Sequence, residues 1–245
     1  MGTLALAVTL AACGATEPSS PASVHLSVAA PAPGATLRAP AGMHLGITQD
    51  DGSHTLVLNR VAMVLREVEL KKALDTDCDV GQEDDCEEFA AGPMVLELPL
   101  NGSVQQVVSV QVPPDIYDQI EFDIHKPDDD SPEDQAFLQA HPEFVDISIL
   151  VEGTFDGESF VFTQDLNEEQ EIDLVPPLSV AEGSGPLNLT LEVDVTTWFA
   201  GVDGTLVDPR TANKGEPNEG LVEFNIRRSI EVFEDDDRDG HKDDD

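Results

Sequence analysis

Positive charge is what this sequence has least of. Twelve Lys and Arg stand against 50 Asp and Glu, a formal net charge of −38 over 245 residues. A field that one-sided repels phosphate backbones and anionic lipid headgroups, which excludes nucleic acid as a partner. Most of the carboxylates read as solvated surface. Aromatics are scarce as well, with one Trp and one Tyr, so Trp198 and Tyr117 read as core rather than as a stacking platform for sugars. The histidines at 25, 44, 54, 125, 141 and 241 include no pair spaced two or four apart, and HExxH is absent. So are a GxSxG elbow, a phosphate loop and a dinucleotide fingerprint. With carboxylates this numerous, no acid–base pair stands out. These absences speak against an enzyme.

What the chain does have is alternation. Val24, Leu26 and Val28 alternate with polar residues, as do Met94, Leu96, Leu98 and Leu100, then Val145 to Val151, and Leu187 to Val195. A two-residue period marks strands with one dry face and one wet face. Val61 to Lys72 is apolar on both faces, which predicts a central strand or a bulge near Leu65. Val108 to Lys126 reads as two alternating halves reversed at Pro113-Pro114-Asp115, a hairpin. Asn101-Gly102 reads as another. Ser131-Pro132-Glu133-Asp134 spells a helix start, and Pro142 a stop. Between 222 and 233 the apolar residues fit a helix capped at Asn218 and a final strand equally well. The fold class expected is mainly β: an antiparallel β-sandwich, immunoglobulin-like or transthyretin-like, with one or two short helices.

Leu4 to Leu10 is a short apolar run, too short to span a bilayer. It leads into Leu10-Ala11-Ala12-Cys13, which resembles the lipobox of bacterial lipoproteins, although no Lys or Arg precedes the run. The resemblance implies a signal peptide over 1–12, lipidation of Cys13, and a Pro/Ser-rich tether over 13–23. With Gly14 after the cysteine, it implies an outer-membrane address. Cys78 and Cys86 then fall in an oxidising compartment at a spacing that suits no common zinc site, and they read as a disulfide. Closing so short a loop contributes about 2.5 kcal/mol. A β-sandwich domain is expected over 24–233, with a subdivision near 127–144, and an acidic tail over 234–245.

The succession of an acidic insert, Pro-Pro-Asp-Ile-Tyr-Asp-Gln-Ile-Glu-Phe, Thr-Phe-Asp-Gly and Val-Asp-Val-Thr-Thr-Trp-Phe resembles uncharacterised bacterial envelope lipoproteins. The resemblance covers about 24–233 and implies the fold and the address, without catalytic residues.

The tail carries the most specific chemistry. Asp235, Asp237 and Asp239 precede Gly240 in the D-x-D-x-D-G spacing that resembles EF-hand and thrombospondin type 3 calcium loops. Calcium takes six to eight hard oxygens. By that pattern Asp235, Asp237 and Asp239 are ligands, His241 offers its carbonyl, and Asp243 adds an oxygen. A helix before the loop would match the entering helix of an EF-hand. The twelfth position, where EF-hands place a bidentate acid, falls beyond Asp245. A frayed acidic tail is the other reading, and both stand. Asp75-Thr76-Asp77-Cys78-Asp79 and Asp128-Asp129-Asp130 read as solvated loops. The functional expectation is a lipid-anchored, non-enzymatic envelope module that binds calcium and engages a protein or polysaccharide. The alternatives are a periplasmic metal-ion carrier or sensor, and a hydrolase with an unrecognised site.

Overall fold

The computed structural model describes residues 21–31, 46–73, 87–90, 93–128 and 131–243. Cys13, Cys78 and Cys86 lie outside these residues. So do Asp75, Asp77, Asp79, Asp129, Asp130 and His44.

One long strand organises the larger of two sheets. β3 (Thr55–Lys72) is flanked along one side by β8 (Ile149–Phe155) at its first half and β7 (Asp115–Ile124) at its second. β9 (Glu158–Gln164) extends the sheet beyond β8, and β10 (Glu168–Val180) extends it beyond β7. Along its other side β3 pairs with β2 (Ile47–Asp50), β5 (Met94–Glu97) and β4 (Glu87–Ala90). The second sheet has the order β12-β11-β1-β6, from Ile230–Glu234, Leu187–Val193, Ala22–Ala29 and Gln105–Val112. Its β1–β11 pair is parallel, and the other pairs run antiparallel. The chain is mainly β, a two-sheet sandwich with few helices.

The dry faces of both sheets share one core. Val24, Leu26 and Val28 from β1, Leu189 and Leu191 from β11, and Leu56, Leu58, Val61, Met63 and Leu65 from β3 belong to it. Trp198 is fully buried there and donates from Nε1 to Ser229 Oγ at 2.8 Å. Tyr117 is buried too, so both residues expected in the core are there. The two-faced apolar run of β3 has a direct cause. Ala62 and Val64 point away from the main core into a smaller one made with Phe137, Phe144 and Leu150. Phe137 belongs to α1 (Pro132–Ala140), which begins as expected: Ser131 accepts from the Asp134 N–H at 3.0 Å, with Pro132 in the first turn. The ladder between β3 and β7 shifts register between Leu65 and Val68, where a bulge was expected.

Two turns do something other than expected. The chain reverses at Pro113-Pro114, but β6 pairs with β1 and β7 pairs with β3 and β10. The stretch is therefore a corner that carries the chain between sheets rather than a hairpin. Neither proline has an N–H to donate to a ladder, which favours leaving the sheet at that point. The Tyr117 hydroxyl fastens the corner by donating to the Pro113 carbonyl at 3.0 Å. Asn101-Gly102 is likewise a turn, with Gly102 at φ 73°, but it too joins the two sheets: β5 pairs with β3 and β6 with β1. The ambiguous stretch 222–233 resolves into both alternatives. α2 (Glu219–Arg227) buries Val222 and Ile226, and β12 takes Ile230, Val232 and Phe233. Asn218 occupies the cap position of α2, yet its side chain donates instead to Thr211 Oγ1 at 2.8 Å.

Candidate metal centre

The tail after β12 is a folded loop laid against the small sheet. Asp235 is fully buried: its N–H donates to the Asn188 carbonyl at 3.0 Å, and its carboxylate turns back into the loop. Oδ2 accepts the Thr190 hydroxyl at 2.7 Å and the Gly240 N–H at 3.1 Å, and Oδ1 accepts the Asp239 N–H at 3.0 Å. Asp239 N–H also reaches Asp237 Oδ1 at 3.2 Å, and Asp239 Oδ1 accepts the His241 N–H at 2.8 Å. The loop closes where Asp243 Oδ2 accepts the Asp236 N–H at 2.7 Å.

Two left-handed residues make the curvature. Arg238 has φ 59°, and its Nε donates to Asn188 Oδ1 at 2.8 Å, a second tie to β11. Gly240 has φ 81°, and a Cβ there would lie 3.0 Å from Val104 Cγ2. Gly240 thus answers to backbone conformation and to space at once.

One carboxylate oxygen from each of Asp235, Asp237 and Asp239 lies within 4.8 Å of the other two. Oxygens sharing one calcium at about 2.3–2.6 Å are separated by no more than about 5 Å. The three acids therefore fit a hard cation between them. Among the described residues no basic side chain forms an ion pair with these three. The Asp243 carboxylate is outside the group and serves the Asp236 N–H; the His241 N–H, in turn, serves Asp239. The element entering the loop is a strand, β12, so the EF-hand arrangement with an entering helix is absent.

Sequence reasoning missed a second group. Glu121 on β7 faces Glu171 on β10, and Glu169 lies one repeat along β10 opposite Asp123. Oxygens of Glu121, Glu169 and Glu171 also lie within 4.8 Å of one another. This ladder already has a cation: Lys71 Nζ forms an ion pair with Glu121 Oε2 and lies 3.9 Å from Glu171 Oε1. Repulsion from Glu121, with burial and Asp123 behind it, holds Glu169 above the usual carboxylate range. Burial, then Glu121, does the same to Asp123. The alternation of β7 placed Glu121 and Asp123 on a wet face, but the register with β10 cannot be read from one strand.

The remaining histidines stay apart. His54 Nδ1 meets Asp156 Oδ2 at 2.8 Å, which raises His54 and lowers Asp156, and joins the β2–β3 turn to the β8–β9 turn. Beside it, the N–H groups of Leu206, His54 and Ser53 pull Asp51 down to about 2. His125 bonds Asn167, and His141 lies 3.8 Å from Glu143. Asp128 pairs with Arg66 at 3.2 Å. Among the described residues no helix is long and apolar enough to cross a membrane. The chain matches no family model, no curated protein and no solved structure.

Proposed function

We infer that this chain is a non-enzymatic, lipid-anchored module of the bacterial cell envelope whose C-terminal loop takes calcium. The observation that carries the calcium reading is the convergence of Asp235, Asp237 and Asp239 on one point, in a loop tied to β11 through Thr190 and Asn188. Calcium there adds to folding stability, because the ligands come together only in the folded loop. The anchor follows from Leu10-Ala11-Ala12-Cys13, and it leaves the sandwich to engage a protein or polysaccharide beyond the membrane. If palmitate labelling survives Cys13→Ala, the anchor is lost from this reading.

Calorimetric titration at physiological salt tests the loop. Calcium gives a saturable signal and magnesium a weaker one, because magnesium holds its waters and demands octahedral packing. Asp237→Ala weakens calcium binding by about tenfold or more, whereas Glu169→Gln leaves it unchanged. Equal responses to both ions and to both substitutions would reduce the tail to a screened acidic surface.

A further inference from the structure

β6 differs from every other strand at a sheet margin. β12 carries Glu231 and Glu234, β9 carries Glu158, and β10 has Glu168, Glu169, Glu171 and Asp173. Along the open side of β3, β2 has Asp50, β4 has Glu87 and Glu88, and β5 has Glu97. β6 reads Gln-Gln-Val-Val-Ser-Val-Gln-Val and holds no ionisable side chain at all. Among the described residues it is the last strand of its sheet and is bonded to β1 alone, with β4 of the other sheet approaching it without pairing. Among the described residues its backbone makes no hydrogen bond outside that ladder. Edges are ordinarily blunted by charge, proline or a bulge. Here the ladder shifts register between Leu26 and Ser27, which sets Val107 out of step and leaves Val108–Val112 regular.

That five-residue stretch complements itself. Turned about a two-fold axis through Val110, Val108 lies opposite Val112 and Ser109 opposite Gln111, so identical side chains or two uncharged polar ones meet at every position. Antiparallel pairing of like strands is an isologous contact, with the same surface used by both copies. We propose that β6 pairs with β6 of a second copy of this chain, joining the two small sheets edge to edge. Two copies of a chain with net charge −38 repel each other; β6 itself brings no charge to the seam, and the nearest acidic strand is β4, with Glu87 and Glu88. The pairing is accordingly weak at low salt and strengthens as salt screens the flanking carboxylates, the reverse of an ion-pair interface.

Sedimentation equilibrium on the full chain tests this. Apparent mass rises from 26.3 kDa toward twice that with concentration, and further at high salt. Ser109 and Gln111 are exposed, so the doubles S109E/Q111E and S109K/Q111K fold, which circular dichroism checks. Each double places like charges at both Ser109–Gln111 contacts and stays monomeric, whereas an equimolar mixture of the two forms a heterodimer. A wild-type chain that is monomeric at every concentration and salt overturns the proposal. So does a dimer that survives in both doubles, or a mixture that fails to associate.

Discussion

Among the described residues two places bring three carboxylates within 4.8 Å of one another, and they are built in opposite ways. On the large sheet Glu121, Glu169 and Glu171 stand on two paired strands whose spacing is set by the ladder, and Lys71 from β3 offsets part of their charge. In the tail Asp235, Asp237 and Asp239 sit on a curved loop whose own N–H groups orient their oxygens. A long ammonium-bearing side chain can follow a sheet row, and the row then needs no other cation. A loop of short aspartates points its oxygens inward, toward a volume the size of an ion. Counting acids cannot tell the two apart; what separates them is whether a cation is already supplied and whether the backbone curves.

The largest effect should come from breaking the tail at its buried acid. With calcium chelated, Asp235→Ala leaves the Thr190 hydroxyl and the Gly240 N–H without their acceptor, while the Asp239 N–H keeps Asp237. Stranding two buried donors costs about 3 kcal/mol, visible as a lower urea midpoint. Asp237→Ala, on an exposed residue, should cost little under the same conditions. A negligible loss for Asp235→Ala would mean that the loop is not welded to β11 and behaves as the frayed tail.

Much of this was legible in the sequence, and what was not has particular causes. Alternation located β1, β7 and β11 because each presents one dry face. β3 was visible as an apolar run on both faces, which serve two cores, and β8 only from Ile149 onward. Ser131-Pro132 located α1 because capping chemistry is local. The Pro113-Pro114 and Asn101-Gly102 turns were visible as reversals of the chain. Their meaning was not, because whether two strands joined by a turn pair with each other or part into different sheets depends on β1 and β3, far away in the chain. The overlapping periods at 222–233 were both real, a helix and a strand separated by Arg228 and Ser229. The D-x-D-x-D-G spacing named the converging acids. It could not show that Thr190 and Asn188 hold the loop, nor that Asp243 turns to the Asp236 N–H. The Glu121 ladder was hidden for the reason the sheet corners were: cross-strand register is a tertiary property.

Removing the cation from the ladder should have a middling effect. Lys71→Met leaves Glu121, Glu169 and Glu171 facing one another and costs about 2 kcal/mol near neutral pH, between the values of an exposed and of a buried ion pair. In an Asp237→Ala background, which silences the tail, added calcium should then restore part of the lost stability, and it should do nothing when Lys71 is present. Thermal melts of the two backgrounds, with and without calcium, check this. No recovery in the Lys71→Met chain would show that a cross-strand ladder cannot hold calcium even when the space is free, and that the curved backbone of the loop is what separates the two sites.

The smallest effect is a pH signature, and it has opposite signs in two parts of the molecule. Glu169 is held above its ordinary value by Glu121, so its protonated form suits the fold better than its charged one. Its contribution to stability is complete below the ordinary carboxylate value of 4.5 and fades as pH rises through the raised folded value. Glu169→Gln is neutral at every pH. It should therefore melt slightly above the wild type near neutrality, and the gap should close on acidification. Asp51 works the other way: its value is lowered from 3.8 to about 2, so its contribution is present above 3.8 and is lost as pH falls through that window. Asp51→Asn should accordingly melt below the wild type near neutrality and converge with it only in strong acid. A melting series from neutral to acid pH on the three chains separates these cases. If both variants shifted in the same direction near neutrality, repulsion across the ladder would not be what raises Glu169, and Lys71 would be a complete rather than a partial counterion.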